Sequence, residues 1–326
     1  MVSNLLTREN FLALVQERIQ LVENLMRSQS DGHHPGLGAA MEHLLASGGK
    51  RVRPAVALLT GDMLSAQTDN VVTLGAAIEL LHTATLVHDD LIDGALLRRG
   101  IATLNSQWSP AATVLTGDYI FARAAKLAAE TNSIPVMRLF SQTLATIVNG
   151  ELTQLFASRG VASRENYFQR IYAKTASMFE LATAAAAMLS PVDSATVEAM
   201  RGFGYDIGMA FQIVDDVLDF TAEQATLGKP VASDLRQGLI TLPALFYVEN
   251  NPDDPEMQSI LGGHFISDER IDRLVNSIRE SGCIQRSIDV AQKYVNGALD
   301  KLRQQPACPE RDALEELSRY IVDRNT

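Results

Sequence analysis

Apolar positions recur at spacings of three and four residues along most of this chain, which is the period of an α-helix with one buried face. Leu314, Leu317 and Ile321 show this spacing near the C-terminus. Long segments are rich in Ala, Leu, Met, Glu and Gln, which favour helix, whereas the alternating pattern of strands is scarce. The pattern therefore predicts an all-α fold of about ten helices.

Clusters of glycine, proline and serine separate the predicted helices. Asp254-Pro255-Glu256 is typical of a helix start, with an N-cap aspartate, a proline at the first helical position and an acid in the first turn. No linker, composition shift or convincing repeat divides the chain, so we expect a single domain over residues 1–326. The separating segments are residues 48–49, 100–110, 133–135, 158–163, 190–191, 228–238, 250–255, 261–267 and 306–309.

Composition narrows the possible functions. Of the 326 residues, 46% are hydrophobic and 21% are charged, as in an ordinary globular protein. The formal net charge of −11 argues against a nucleic-acid partner, because phosphate backbones are bound through basic surface. Cys283 and Cys308 form no CxxC pair, and the first residues lack the charged and apolar regions of a signal peptide. The apolar windows Val71–Val87 and Ala173–Leu189 each contain charged residues and are interpreted as core helices. We therefore expect a cytoplasmic protein without a transmembrane segment.

Two acidic motifs, HDDLID and VDDVLD, each follow an apolar stretch. Asp89 and Asp93 in the first motif are four residues apart, so they share one helix face, and their like charges are mildly destabilising without a counter-ion. Asp215 and Asp219 repeat this spacing in the second motif. Mg²⁺ is typically held by one or two carboxylates plus substrate phosphates. The alternative, two solvated acidic helix ends, is less favoured because both motifs lie in apolar helices and are followed by basic residues.

Basic residues cluster near the first motif. The segment GGKRVRP places Lys50 and Arg53 beside a glycine turn, and Arg98 and Arg99 follow the first acidic motif. Guanidinium groups match phosphate oxygens in a bidentate way, whereas lysine acts as a point charge. A single basic pair is usually an ordinary surface feature. Their placement around the acidic motifs instead indicates a diphosphate site.

These segments resemble the trans-isoprenyl diphosphate synthases of the polyprenyl synthetase family. The resemblance implies a bundle of about ten core helices around a deep central cavity, the isoprenoid synthase fold, and usually a homodimer. The matching segments run in family order and are GGKRVRP from Gly48, HDDLID from His88, RRG from Arg98, GD at Gly117, GELTQL from Gly150, KTASMF from Lys174, FQIVDDVLD from Phe211, LGKPVASDL from Leu227 and TLP from Thr241.

The resemblance also implies a role for each matching position. Magnesium would be ligated by Asp89, Asp93 and Asp215, with Asp219 in support. The residues implied to hold the diphosphate of isopentenyl diphosphate are Lys50, Arg53, His82 and Arg99. The residues implied to contact the allylic diphosphate are Arg98, Lys174, Thr175, Gln212 and Lys229. Of all these, the catalytic set is Asp89, Asp93, Arg98, Lys174 and Asp215.

Three positions depart from the family pattern. Ala102 stands where a proline is usual, Leu239 where a lysine is often found, and Ala232 where glycine is frequent. Because Lys229 is present, we expect diphosphate binding to persist, with some substrate contacts altered.

Product length is predicted from the helix that carries Asp89. In the family, a bulky aromatic residue four or five positions before this aspartate stops chain growth early. Here those positions are Thr85 and Ala84, which are small, so Leu81 and Ile78 are the next candidate walls, along with Ile147-Val148. One helical turn rises about 5.4 Å, comparable to one isoprene unit. We expect a medium- or long-chain product made from farnesyl or geranylgeranyl diphosphate, the alternative being a geranylgeranyl diphosphate synthase.

Two other functions are compatible with parts of the pattern. A class I terpene cyclase also uses a DDxxD motif, but its second metal motif mixes Asp with Asn, Ser, Thr and Glu, and it needs no second diphosphate site. A non-catalytic synthase subunit would tend to lose its first aspartates, which are intact here. Both functions are less favoured than a trans-prenyltransferase.

Overall fold

The computed structural model describes residues 10–46, 48–156, 163–221, 231–264 and 266–323. The chain divides into two compact units, and each is described by itself. The first unit comprises Met1–Leu144, Met178–Gly204 and Lys301–Leu317, and the second comprises Ala145–Ser177, Tyr205–Asp300 and Ser318–Thr326. A single domain over the whole chain stays a prediction.

The described part of the chain is helical apart from one short hairpin, which confirms the all-α prediction. The helices up to the second acidic motif are α1 (Asn10–Ala13), α2 (Gln16–Ser28), α3 (Pro35–Ala46), α4 (Val52–Met63), α5 (Thr68–Ile92), α6 (Leu104–Gln107), α7 (Pro110–Glu130), α8 (Ile134–Phe156), α9 (Arg164–Ile171), a π-helical turn (Tyr172–Ala176), α10 (Ser177–Met188) and α11 (Ser194–Thr221). The later helices are Ser233–Arg236, Leu242–Asn250, Pro255–Leu261, Asp268–Glu280, Cys283–Leu302 and Pro309–Asp323.

Helix α5 forms the core of the first unit, where it packs against α2, α4 and α7. Its side chains from Leu74 to Ala84 are almost all buried, in agreement with the core helix expected for this window. Among the described helices, α5 is the one long and apolar enough to cross a membrane, but 72% of its most apolar 18-residue window is buried. That burial is typical of a core helix, which buries apolar side chains all round.

The hairpin follows α5 directly. Strand β1 (Leu97–Arg98) pairs antiparallel with β2 (Ile101–Ala102), and the two turn residues Arg99 and Gly100 have φ angles of 53° and 79°. Positive φ at both central residues defines a type I′ turn, which suits the twist of two paired strands. The sequence pattern did not predict this hairpin, because its strands are only two residues long.

Side-chain caps fix several helix starts. Ser109 accepts a hydrogen bond from the backbone N–H of Ala112 at 3.3 Å, with Pro110 at the first position of α7. Asp254 accepts from the backbone N–H of Met257 at 2.9 Å, which confirms the N-cap predicted there. Each cap satisfies a donor that the first helical turn leaves without an intrahelical partner.

The second unit is built around the C-terminal half of α11. The apolar face of this segment, including Ile213, Val214, Val217 and Phe220, is fully buried. Amphipathic helices complete this unit, and the helix Asp268–Glu280 buries Ile271, Leu274, Val275 and Ile278. The second acidic motif lies on the polar face of α11.

Candidate active site

The first acidic motif occupies the C-terminal end of α5. Asp89 is half-buried in the last turn, and Asp93 is exposed at the C-cap. The backbone N–H of Asp93 donates to the carbonyl of Asp89 at 2.8 Å, so the helical spacing predicted for this pair is present. Both carboxylates therefore belong to the same helix terminus.

Asp90, between these two, turns inward and holds an arginine. Its Oδ1 accepts from Nε of Arg98 at 2.8 Å and from Nη2 at 2.7 Å. The Asp90 side chain is only 10% exposed, whereas that of Arg98 is 36% exposed, so the carboxylate of this charge-assisted pair is the part shielded from water. Arg98 is thereby fixed beside the acidic motif. Sequence reasoning assigned no role to Asp90, because its spacing does not distinguish it from its neighbours.

The hairpin turn brings the second arginine to the glycine-rich segment. Nη1 of Arg99 donates to the backbone carbonyl of Gly48. The RRG and GGKRVRP segments, far apart in sequence, are therefore neighbours in the first unit. Gly100 permits the turn, since glycine adopts positive φ without the steric cost that a side chain brings.

Arg51 anchors the glycine-rich segment and was missed by sequence reasoning. Its Nε donates to Glu23 of α2 at 2.9 Å, and its Nη1 donates to Glu79 of α5 at 2.9 Å. The Arg51 side chain is 11% exposed and the Glu79 side chain 7% exposed. This buried ion cluster fixes the start of α4, which carries Arg53. The sequence did contain one signal, a single glutamate within an otherwise apolar stretch of α5.

His82 lies among the cations of the first unit. Burial lowers the pKa of this half-buried imidazole well below its usual value. The arginines that lower the pKa further are Arg53, Arg99, Arg98 and Arg51. The structure thus gathers His82 with three of the predicted diphosphate ligands. Lys50 is exposed in the segment just before α4.

The three predicted chain-length positions lie one to two turns before Asp89 on α5. Leu81 and Ala84 are fully buried, whereas Thr85 is half-buried and donates its hydroxyl proton to the carbonyl of His82 at 2.7 Å. Of the other candidate walls, Ile78 and Ile147 are buried, while Val148 is 44% exposed. The wall role of these positions stays a prediction.

The Gly117-Asp118 pair supports the first acidic motif through His88. Nε2 of His88 lies 3.2 Å from the carbonyl of Val114 and 3.5 Å from Oδ1 of Asp118. A Cβ at Gly117 would lie 2.1 Å from Nε2 of His88, a distance that no contact allows. Gly117 therefore leaves the space that the His88 imidazole occupies between α5 and α7.

The predicted residues of the second unit lie on the π-helical turn and α11. Lys174 is exposed on the turn, with Nζ 3.1 Å from Oε1 of Glu151. Thr175 is buried and donates to Oε1 of Gln212 at 2.6 Å. Such π-helical turns are frequent at functional sites. The structure thus brings Thr175 and Gln212 together in the second unit.

The second acidic motif contains one buried and two half-buried carboxylates. Asp215 and Asp219 are half-buried, while Asp216 is buried. Burial raises the pKa of Asp216 to about 7, although hydrogen bonds from Gln212 and Tyr167 lower it. Of the three, Asp216 is therefore the least suited to coordinate a metal ion.

Asp219 caps the short helix that follows. Its Oδ1 accepts from the backbone N–H and hydroxyl of Ser233 at 3.2 and 2.9 Å, and its Oδ2 accepts from the N–H of Asp234 at 3.1 Å. Ala232, just before them, has a φ of 54°. This left-handed conformation explains physically why glycine is frequent at that position in the family. The metal role predicted for Asp219 is untested by these contacts, since an ionised carboxylate has further lone pairs.

The fit to a metal ion is judged from the donors present. Within the described ranges, no three His, Cys, Asp or Glu side chains come together as they would in an all-protein metal cage. Mg²⁺ does not need such a cage, because it is held by one or two carboxylates, waters and substrate phosphates. Asp89 and Asp93, with arginines beside them, fit that arrangement.

Two further observations limit the site. Lys229, predicted to contact the allylic diphosphate, lies outside the described residues. A cavity of about 1000 Å³ lies within the second unit, but Lys174, Thr175, Gln212, Asp215 and Asp219 do not line it. We assign that cavity no role in the site.

The chain is similar to known prenyl synthases. The family model described as polyprenyl synthetase matches residues 34–278. Octaprenyl diphosphate synthase of Haemophilus influenzae is 32% identical over 99% of this chain and 98% of its own length. Heptaprenyl diphosphate synthase component 2 of Bacillus subtilis is 32% identical over 96% of this chain and 89% of its own length.

A solved structure shares the fold. Polyprenyl synthase from Caulobacter crescentus, complexed with calcium and isoprenyl diphosphate, has a TM-score of 0.92 and 35% identity over 98% of both chains. The chain therefore belongs to the polyprenyl synthetase family, and it is an enzyme, a trans-prenyltransferase.

Proposed function

We propose that this enzyme condenses isopentenyl diphosphate with farnesyl or geranylgeranyl diphosphate to give a medium- or long-chain all-trans polyprenyl diphosphate. One observation carries the proposal. In the first unit, Arg53, Arg98 and Arg99 lie near enough to His82 to lower its pKa, and Arg98 and Arg99 belong to the hairpin that follows the acidic end of α5. A cationic cluster beside a metal-binding terminus suits diphosphate groups, and an otherwise acidic protein has little reason to gather these charges.

The cationic cluster would bind isopentenyl diphosphate. Arg53 and Arg99 are suited to phosphate oxygens because their guanidinium groups donate in a fixed fork, and exposed Lys50 adds a point charge. The half-buried imidazole of His82 would donate to the same diphosphate. Binding an anion there would raise the pKa of His82, because the anion would offset the charges of the arginines, which lower that pKa in addition to burial.

The allylic diphosphate would be held by Arg98, Lys174 and Gln212, with Thr175 and Lys229 as further candidates. Arg98 is positioned by Asp90, and Lys174 is presented on the π-helical turn. These groups neutralise the charge that develops as the carbon–oxygen bond breaks and its electron pair leaves with pyrophosphate. The allylic cation is attacked by the double bond of isopentenyl diphosphate, and the proton lost from the adduct goes to pyrophosphate.

Magnesium is proposed as the metal, held by Asp89, Asp93 and Asp215 with Asp219 in support. When bound, Mg²⁺ supplies Lewis-acid stabilisation of the leaving diphosphate. The calcium in the similar polyprenyl synthase structure supports a divalent ion in this family. Removing divalent ions with a chelator should abolish turnover, and added Mg²⁺ should restore it.

Small residues on α5 support a long product. Ala84 and Thr85 lack the bulk to block a growing chain one turn before Asp89. Similarity to relatives named as octaprenyl and heptaprenyl diphosphate synthases also supports a product longer than geranylgeranyl diphosphate. Leu81 and Ile78, both fully buried, are the proposed next walls.

Replacing Ala84 with Phe tests the chain-length assignment. We expect the Ala84→Phe variant to make shorter products from farnesyl and isopentenyl diphosphates, because the aromatic ring fills the path. The site is fully buried, so overpacking should also destabilise the fold by about 1–3 kcal/mol. Product distributions are read by mass analysis of the folded fraction. An unchanged product length would contradict the assignment.

A terpene cyclase and a non-catalytic subunit were the rival functions that the sequence left less favoured. A cyclase has no use for a second diphosphate site at Lys50, Arg53 and Arg99. Pyrophosphate release from allylic diphosphate that requires isopentenyl diphosphate would exclude both rivals. We also propose a homodimer in the cytoplasm, supported by the family resemblance and tested by sedimentation of the purified chain.

A further inference from the structure

A chain of hydrogen bonds in the second unit joins α9, the π-helical turn and α11. The hydroxyl of Tyr167 donates to Oδ2 of Asp216 at 2.7 Å. Nε2 of Gln212 donates to Oδ1 of the same carboxylate at 2.8 Å. Oε1 of Gln212 accepts from the hydroxyl of Thr175 at 2.6 Å. Four side chains on three elements are therefore linked in series.

The direction of each bond follows from the chemistry of Asp216. Nε2 of Gln212 faces this carboxylate, which is the direction that an ionised Asp216 requires, because a carboxylate only accepts hydrogen bonds. The amide oxygen then faces Thr175, whose hydroxyl must donate. One proton of the Gln212 amide is left that neither bond uses, whereas the proton of Thr175 is committed within the protein.

The direction of these hydrogen bonds distinguishes Thr175 from Gln212, although the resemblance implies the same role for both residues. Diphosphate oxygens accept hydrogen bonds, so a residue that binds them must offer a donor. Gln212 retains one, and Thr175 does not. Thr175 therefore supports Gln212, and it ties the π-helical turn that bears Lys174 to α11.

Tyr167 is placed to hold this arrangement. Its side chain is 1% exposed, and its ring is packed against Phe168 at 5.3 Å between centroids and under the guanidinium of Arg170 at 5.5 Å. A buried, packed tyrosine has one position for its hydroxyl, so it fixes one oxygen of Asp216. The other oxygen accepts from Gln212.

We propose that Tyr167 and Asp216 are positioning residues that orient the Gln212 amide toward the allylic diphosphate. This inference rests on the proposed function, since it assigns the donor to one substrate of the condensation. Tyr167 and Asp216 do not touch substrate in this account. They act through Gln212, and through Thr175 they keep Lys174 in register with the second acidic motif.

The test is Tyr167→Phe, which removes one hydroxyl and keeps the ring. We expect kcat/KM for farnesyl diphosphate to fall about tenfold, in line with loss of a hydrogen bond to a charged group. The KM for isopentenyl diphosphate should stay unchanged, because its proposed site lies in the first unit. In a Gln212→Met background, Tyr167→Phe should not change the allylic KM further, although it should lower the free energy of unfolding.

Tyr247→Phe is the matched control. Tyr247 is also buried in the second unit, and its hydroxyl donates to Oδ2 of Asp254 at 3.0 Å. Its removal should destabilise the fold without affecting either KM.

The outcomes separate the inference from the proposed function. An active wild-type enzyme whose Tyr167→Phe variant keeps the allylic kcat/KM per folded molecule would overturn the inference alone. Equal changes in both KM values, or additive effects with Gln212→Met, would also overturn it. A wild-type enzyme that releases no pyrophosphate with both substrates would overturn the proposed function and the inference together.

Discussion

Gly117 offers a sharp test of how the first acidic motif is held. Alanine normally stabilises a helix interior relative to glycine by about 0.8–1 kcal/mol. Here the added Cβ would lie 2.1 Å from Nε2 and 2.5 Å from Cδ2 of His88. The imidazole would have to move by more than 1 Å to reach ordinary van der Waals distance, roughly 3.5 Å. Gly117→Ala therefore combines the stabilising effect of alanine in a helix with the destabilising displacement of the His88 ring.

We expect the displacement to prevail. Overpacking of this kind costs about 1–3 kcal/mol, and His88 would also lose its contact with the carbonyl of Val114. The net change in the free energy of unfolding should be a loss of about 1–2 kcal/mol. Because His88 adjoins Asp89, turnover should fall as well, even in the folded enzyme.

Urea unfolding and steady-state kinetics measure the two effects separately. Gly38→Ala is the control, since a Cβ there meets nothing nearer than Oγ of Ser30 at 3.9 Å in helix α3. It should stabilise the fold by about 0.5–1 kcal/mol and leave turnover unchanged. Adding His88→Ala to Gly117→Ala removes the obstructing ring and should recover part of the lost stability. If Gly117→Ala proved as stabilising as Gly38→Ala, with full activity, the packing argument would be refuted.

Two other variants test the first unit. Arg51→Met should lower the free energy of unfolding by about 3–5 kcal/mol in urea titrations, because it leaves Glu79 buried without the guanidinium that pairs with it. Arg27→Met, the control at an exposed ion pair, should change the free energy of unfolding by less than about 1 kcal/mol. Equal effects of the two substitutions would contradict a stabilising role of the buried ion cluster. His82 should make stability depend on pH, because its lowered pKa means that the unfolded chain binds a proton that the folded chain does not. Stability should therefore rise with pH up to about 6.5, by at most about 1.4 kcal/mol per pH unit, and His82→Gln should reduce that slope. A slope identical in wild type and variant would count against the buried neutral imidazole.

The sequence predicted which helices carry the candidate residues, but not the tertiary contacts that position them. Helical spacing placed Asp89 and Asp93 at one helix terminus, and the structure agrees, because a period of 3.6 residues is a local property. The positioning roles of Arg51 and Asp90 were not predicted, because Arg51 pairs with Glu79 and Asp90 pairs with Arg98 only in the folded structure. The short hairpin was missed because two-residue strands leave no alternating pattern.

Other features depend on backbone conformation that a sequence does not display. Ala232 was recognised as a departure from the family pattern, but its left-handed φ supplied the physical reason. Likewise, the GD motif was recognised without a role, and only the approach of His88 to Gly117 explains the glycine. Thr175 and Gln212 were predicted as equal substrate contacts, and their mutual hydrogen bond is the observation from which we propose different roles.

The most direct test of the central claim is mass analysis of the products formed from farnesyl diphosphate, isopentenyl diphosphate and Mg²⁺. We expect pyrophosphate release that requires both substrates, with all-trans products longer than geranylgeranyl diphosphate. Products no longer than geranylgeranyl diphosphate would contradict the chain-length proposal. Release from the allylic substrate alone, with a cyclic hydrocarbon as product, would contradict the condensation itself.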